Sequence, residues 1–448
     1  MHIPSYVWHR AKNWVDSSTR QVFGTSAVVE GISERGKAAV DGQTRSDAHE
    51  TTRHIPPETL HLIFQFVQLL PGAEDGHQLA SEIRLSHVSQ CWRAICLSSS
   101  DMWTSFRAVR ASPASHARLN AYLTRSRRQM LDLEFYFQSA SGCSLLQEII
   151  PHRHRWQSLS LTFHCDPEPL LCIGKYLLPS EAPNLRALTI LPKHTGMQNR
   201  SVDGLIKKDA HSFQRAPLTM RLNGESALAC STLFDRVTEL RLDATWHSQT
   251  NRRRMPMQEH WIHWSTFCEI LALPSLVRLS IQGQPYALPS GWETKVSRVW
   301  MPHVRHFEYS ACYGSSAFED LMLPNLDAPC LETLALERMG PPNEPTHWDP
   351  CRLQPLDSLR TLRLTGFVEY DYGFVAALAS LTPKISHLAI ENRAIPAKNL
   401  LARISAQGVW GSVERLTVNE AGYRVDEFVG VTEVRRIMAL CAGHTKAL

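Results

Sequence analysis

Several stretches of the chain carry residue types at spacings that chemistry uses. In GISERGKA, Gly31 to Ala38, glycine and lysine are spaced as in a loop whose backbone N–H groups cradle a polyphosphate. Its last position is Ala38, where a Ser or Thr hydroxyl is needed to ligate magnesium, so nucleotide binding is not expected. HETTRH, His49 to His54, offers two imidazoles, but the second lies one residue too far along to share a helix face with the first. His260 with His263 near Cys268, and His303 with His306 near Cys312, could supply nitrogen and thiolate to zinc. Neither pair has a second pair at a metal-finger spacing, and such isolated pairs read as surface or capping residues. Arg252, Arg253 and Arg254 read as solvated charge in a loop insertion. There is no G-x-S-x-G, and no Ser, His and acid set that spacing alone brings together. The expectation is a chain with no cofactor, no metal and no catalytic centre.

Composition points the same way. The 448 residues are 43% hydrophobic, enough for two or three domains with sizeable cores. A formal charge of +4 from 47 basic and 43 acidic residues is too even to imply capture of nucleic acid or of an anionic membrane. No apolar run reaches the roughly 18 residues of a spanning helix, and MHIPSYVWHRAKNWVD lacks a secretory core. The 11 cysteines contain no C-x-x-C and read as reduced thiols, so a cytoplasmic or nuclear location is expected.

The elements that would position a binding surface begin at Ile55. In IPPETLHLIFQFV, Leu60, Ile63, Phe64 and Val67 recur at helical spacing, and Pro56 and Pro57 fix an extended lead and a first turn. In LSHVSQCWRAICLSSSDMWTSF, Leu85, Val88 and Trp92 share a face, and Met102, Trp103 and Phe106 close the segment. With Ile55 and Pro56 leading into Glu58, Leu60, Ile63 and Phe64, and with Val88, Trp92-Arg93 and Trp103 following, residues 55–106 resemble the F-box. The closer likeness is to the F-box-like variant, whose halves are parted by a polar insertion, here PGAEDGHQ. Thr59, at a usually aliphatic position, and Gln65, at a usually small polar one, depart from that pattern.

Beyond Phe106 a second pattern takes over, apolar-x-x-apolar-x-apolar. It runs from Trp156, Leu159, Leu161 to Val413, Leu416, Val418. The last six central residues, 279, 307, 334, 362, 388 and 416, are 28, 27, 28, 26 and 28 apart. At 43% apolar content a single triplet fits by chance about one time in twelve, so the near-constant period carries the signal, not any one unit. Leu188 to Leu240 spans 52 residues with one degenerate unit at Leu218 to Leu222, and Leu240 to Leu279 spans 39, including HSQTNRRRMPMQEH. FEDLM, YGFVAALASL and KNLLARISAQ read as helical returns. This part resembles irregular leucine-rich repeats, without the Asn five residues after the central Leu; an α/β domain with a parallel sheet is the alternative.

The expected class is therefore α+β to α/β repeat, a helical F-box hairpin followed by an irregular repeat solenoid. The expected divisions are a flexible segment 1–54 with a short amphipathic stretch Val7 to Val15, a helical module 55–106, a linker and lead-in 107–150, and a repeat domain 151–448. The resemblance implies a non-catalytic substrate receptor of a Skp, cullin and F-box ubiquitin ligase. It would dock on the Skp-type adaptor, and through it a cullin, by Ile55, Pro56, Leu60, Ile63, Phe64, Val88 and Trp92. Its unidentified protein target would meet the concave strand face, where the repeat points Arg241, Ser280, Glu308, Ala335 and Arg363 away from the core, with Asp243, Glu337 and Glu391 two positions further on. The alternative role is a scaffold whose helical hairpin caps the first repeat.

Overall fold

A computed structural model describes residues 55–69, 81–137, 143–163, 182–192, 216–244, 262–287, 298–311, 322–338, 354–367, 372–392, 401, 404, 409–420, 424–430 and 432–437. The expectations for 1–54, for PGAEDGHQ, for HSQTNRRRMPMQEH, for His260 and Cys312, and for most of FEDLM and KNLLARISAQ lie outside them. The chain divides into two compact units, Met1–Leu60 and His61–Leu448. Of the first, only residues 55–60 are described, and they open a helix.

The helices are α1 (Pro57–Leu69), α2 (Ser81–Ser86), α3 (Gln90–Ser98), α4 (Pro113–Arg125), α5 (Cys143–Ile149), α6 (Gly224–Ala229), α7 (Trp264–Leu271) and α8 (Tyr372–Leu381). The principal strands are β1 (Ser105–Ala108), β2 (Leu131–Phe137), β3 (Trp156–Phe163), β4 (Ala187–Pro192), β5 (Leu218–Leu222), β6 (Val237–Asp243), β7 (Arg278–Gln282), β8 (His306–Ala311), β9 (Thr333–Arg338), β10 (Thr361–Thr365), β11 (His387–Asn392), β12 (Arg415–Glu420) and β13 (Arg424–Val429). They form one 13-stranded sheet in strict chain order. The first 12 strands run parallel, and β13 returns antiparallel to β12. A parallel strand needs a crossover back to its starting end, and α4 and α5 lie in two of the described returns. The architecture is mixed α/β around a large parallel sheet.

Register follows the repeat residue for residue. Phe106, Leu133, Leu159, Leu188, Met220, Leu240, Leu279, Phe307, Leu334, Leu362, Leu388 and Leu416 form one continuous row of pairing partners across the 12 parallel strands. Every member of that row is buried. The degenerate unit at Leu218 to Leu222 takes its place as β5, with Met220 in the row. Alternation does the sorting, because one residue of slip would expose the whole row.

Two backbone devices enforce the register. Before several strands a tight turn closes, with Leu185, Leu276, Leu331, Leu359 and Val413 donating their N–H to the carbonyls of Ala182, Leu273, Ala328, Leu356 and Trp410. The second turn residue is Pro183, Pro274, Pro329, Asp357 or Gly411, and proline there presets the φ that such a turn needs. Next, one carbonyl per repeat takes two N–H groups from the following repeat. Val277 accepts from Arg305 and His306, Arg305 from Glu332 and Thr333, Glu332 from Arg360 and Thr361, Arg360 from Ser386 and His387, and Ser386 from Glu414 and Arg415. Gly283 and Gly366, both at φ 74°, leave β7 and β10 in the left-handed conformation and donate to Ser310 and Glu391 of the next strands.

Residues 107–150, expected as a linker and lead-in, hold strands and returns of the sheet. The sheet starts at β1, and α4, β2 and α5 are already its strands and returns. LDLEFYF is strictly alternating, with Leu131, Leu133, Phe135 and Phe137 buried, but its aromatic residues hide the leucine spacing. An aromatic chain ties the helical segment to this first layer. Ring centroids are 5.1 Å apart for Trp103–Tyr122, 5.2 Å for Phe106–Tyr122 and 5.8 Å for Phe106–Phe135. One compact unit runs from His61 through the sheet.

Two buried arginines, each just ahead of a strand, replace missing backbone pairing. Arg155 donates from Nε to the Gln129 carbonyl at 2.8 Å, and from its terminal nitrogens to Leu123 at 3.4 Å and to the Ser126 hydroxyl at 2.5 Å. Arg236 reaches the Leu185 carbonyl at 2.9 Å and that of Ala216 at 3.2 Å. Replacing Arg155 with Met keeps volume but strands these acceptors, and should cost about 2–4 kcal/mol. The urea midpoint is expected to fall, with Arg155→Lys restoring only part of the loss; an unchanged midpoint for Arg155→Met would show the carbonyls to be satisfied by water.

Candidate docking surfaces

The helical segment is held by its own polar contacts. Ser89 caps α3 by accepting from the Trp92 N–H at 3.2 Å, and the Trp103 indole donates to the Cys96 carbonyl at 2.7 Å in the interior. Gln65 donates to Asp101 at 2.6 Å, and His61 lies 3.0 Å from the same carboxylate. Gln68 donates to the Met102 carbonyl at 3.0 Å. Gln65 thus has a structural task, tying α1 to the 3-10 turn Ser100–Trp103.

The expected adaptor-binding residues differ in burial. Leu60, Phe64 and Trp92 are 1%, 0% and 3% exposed, and the Phe64 and Trp92 rings meet at 4.7 Å. They are core side chains, since the strongest apolar stripe of an amphipathic helix faces its own protein first. Ile55 and Ile63 are half-buried and Pro56 is exposed. Of the expected apolar side chains, Val88, at 40%, joins Pro56 as exposed. The outward apolar groups that spacing did not single out are Leu62 at 54% and Phe66 at 50%, one turn apart on α1, while Leu97, in the second apolar run, is 41% exposed on α3. The signal was present in HLIFQFV, where apolar residues occupy both faces of one helix.

On the sheet, the row following the buried one points outward. Arg241, Glu308 and Arg363 are exposed, and Ser280 and Ala335 are half-buried. The next outward row aligns Asp243, Gln282, Ser310, Glu337, Thr365 and Glu391. Asp243 is not the open surface charge that was expected. It accepts from Arg221 Nε at 2.7 Å and from Arg241 Nε at 2.9 Å, and its side chain is 13% exposed. Arg241 also donates to Gln282 Oε1 at 3.0 Å. Arg221 follows Met220 as Arg241 follows Leu240, so the same spacing places it in this row. Arg363 and Glu391 stand 3.7 Å apart, and Glu337 accepts from the Ser310 hydroxyl at 2.9 Å. Glu308 has no ion-pair partner among the described residues.

One cluster emerged that spacing could not foresee. His116 on α4 contacts Glu148 on α5 through Nδ1 at 2.5 Å and Ser144 through Nε2 at 3.1 Å. The connectivity is that of a nucleophile, base and orienting acid. Ser144 is exposed, however, and acyl transfer also needs oxyanion donors in a site closed to water. The arrangement acts as a clamp between consecutive helices. A fluorophosphonate probe is therefore expected to leave Ser144 unlabelled; stoichiometric labelling there would make it a working nucleophile. Among the described residues no group of three or more His, Cys, Asp or Glu could hold a metal, and no helix is long and apolar enough to cross a membrane.

Burial raises the Glu82 carboxyl above the ordinary carboxylate range, against the opposing pull of hydrogen bonds and the Arg118 charge, and burial with the Glu82 charge pushes the Cys96 thiol up to about 12. A carboxyl whose pKa is raised on folding stabilises the fold in its protonated form, and that contribution is lost as pH rises through the folded value. Glu82→Gln is thus expected to raise the thermal midpoint at neutral pH and to leave it unchanged at about pH 3, where both side chains are neutral. A drop at neutral pH would mean that the ionised form is what the site holds.

No protein-family model matches the chain, and no curated protein matches it.

Proposed function

We propose that this chain is the substrate-recognition subunit of a Skp, cullin and F-box ubiquitin ligase, docking on the adaptor through residues 55–106 and holding a protein target on a leucine-rich-repeat solenoid. The observation that carries the proposal is the second apolar face of α1. Leu60 and Phe64 satisfy the inner face, while Leu62 and Phe66 stand about half exposed on the same helix, with Val88 and Leu97 exposed in the second half of the segment. Exposed large apolar groups carry a hydration cost that a docking partner removes. The chain itself catalyses nothing in this reading. It contributes proximity, raising the effective concentration of the target's lysines near a charged conjugating enzyme in the cytoplasm or nucleus.

The repeat reading rests on the near-constant return length and the single in-register row. Target capture falls to the outward strand rows, because the inner rows are spent on the core. A scaffold role has one observation in its favour, the aromatic chain from Trp103 through Tyr122 to Phe135, which makes the helical segment a cover for the first strands. That role gives Leu62 and Phe66 nothing to do.

Co-expression with a Skp-type adaptor decides between the two. The wild-type chain should co-purify with the adaptor. Leu62→Asp with Phe66→Asp should weaken association by about 100-fold or more, with far-ultraviolet dichroism and melting unchanged, since charges replace two desolvated anchors. Phe64→Asp should instead unfold the segment. Wild-type chain that never retains the adaptor would leave the scaffold role; a double variant that binds normally would move the docking face elsewhere.

A further inference from the structure

We propose that Arg221 and Arg241 together receive a carboxylate side chain of the target, and that the exposed Glu308 beyond them receives a basic residue of the same extended segment. The inference rests on the sheet face being the target surface.

Arg221 and Arg241 are pairing partners on β5 and β6, so both guanidinium groups rise from adjacent backbones. Each commits its Nε to a different oxygen of Asp243, and one terminal nitrogen of Arg241 also donates to Gln282 Oε1 at 3.0 Å. Asp243 is the least exposed of the three at 13%, against 43% and 45% for the arginines. A sheltered acid that fixes two half-exposed arginines removes much of the rotamer freedom that binding would otherwise have to freeze. Arg221 has no acceptor among the described residues apart from Asp243.

Charge selects the ligand. Two arginines and one aspartate sum to a single positive charge, which one carboxylate neutralises. A phosphate dianion would overbalance the site and stand close to Asp243. Glu239, one row away, is engaged with Arg278 at 3.5 Å, so that pair leaves the net charge of the site unchanged. The neutral partners Thr189 on β4 and Ser280 on β7 flank the pair in the same row.

The neighbouring strands set the next contact. Glu308 lies in the same outward row, two strands beyond Arg241 across β7. At about 4.8 Å per strand that is about 10 Å, the span of about three residues of extended chain. An extended segment crossing the strands would therefore place an acidic residue at the arginine pair and a basic residue about three positions away at Glu308.

The test uses the full chain and an immobilised array of Gly/Ser peptides carrying one Glu and one Lys at separations from one to six residues. Glu-x-x-Lys should be retained best. Replacing its Glu with Gln, or using the Arg221→Gln/Arg241→Gln variant, should cut retention by about tenfold or more. Glu308→Lys should shift the preference from Glu-x-x-Lys to Glu-x-x-Glu, a swap that a purely structural role would not produce. Equal retention by wild type and the double variant, no separation preference, no retained peptide at all, or stronger retention of phosphoserine in place of Glu would each overturn the inference. The adaptor co-purification is unaffected by any of these, so the ligase reading stands or falls separately.

Discussion

Every feature of this protein depends on bringing each new strand back parallel, one strand spacing along, in the register of the last. Parallel neighbours cannot be joined by a tight hairpin, so the chain spends most of each repeat on a return whose only geometric duty is to deliver the next strand correctly. The turn before each strand and the doubly used carbonyl of the preceding repeat make that delivery local: the carbonyl of Arg305 positions Glu332 and Thr333, and that of Glu332 positions Arg360 and Thr361. Stability then builds from neighbour to neighbour. Returns vary in length, as between Leu240 and Leu279, while the described parts of neighbouring returns still meet, Val299–Trp300 pairing in parallel with Leu326–Asp327.

A sheet built this way has two ends, and unpaired edges are a hazard. At the far end β13 reverses direction and pairs antiparallel with β12, breaking the repeat. At the near end the helical segment is continuous with the first layers through Trp103 and Phe106. The segment therefore serves the fold with one face and keeps another free. Phe64 and Trp92 pack against each other and Trp103 against Tyr122, whereas Leu62 and Phe66 stand about half exposed.

The parallel sheet was legible because burial of a row requires a period, and the period survives substitution of Phe, Met or Tyr for Leu at single positions. Its beginning was not, because LDLEFYF alternates at period two without the leucine spacing and SFRA is too short to show any period. Helix faces were harder still. Periodicity locates the stripe that is buried, and a docking stripe differs from it only in having no partner within the chain, which no spacing can reveal. The His116, Ser144 and Glu148 clamp was invisible for a related reason: its members come from two helices whose relative placement is set by β1, β2 and β3. Arg221 is different. The degenerate unit at Leu218 to Leu222 already placed it beside Arg241.

The outward rows are where this architecture can change its chemistry without endangering itself. Half-exposed ion pairs such as Arg363–Glu391 contribute little to stability, whereas each inner residue is worth about 2–5 kcal/mol through burial and packing. Inner rows are thus restricted to residues that fill the core, and outer rows are limited only by what they must recognise. Asp243 is the instructive exception, an outer-row residue drawn under cover by two arginines. Ordering three charged side chains costs conformational entropy that the fold, already secured by the inner rows, has no need to spend. Under the proposed target capture, arginines oriented in advance would lose less freedom when an anionic group arrives.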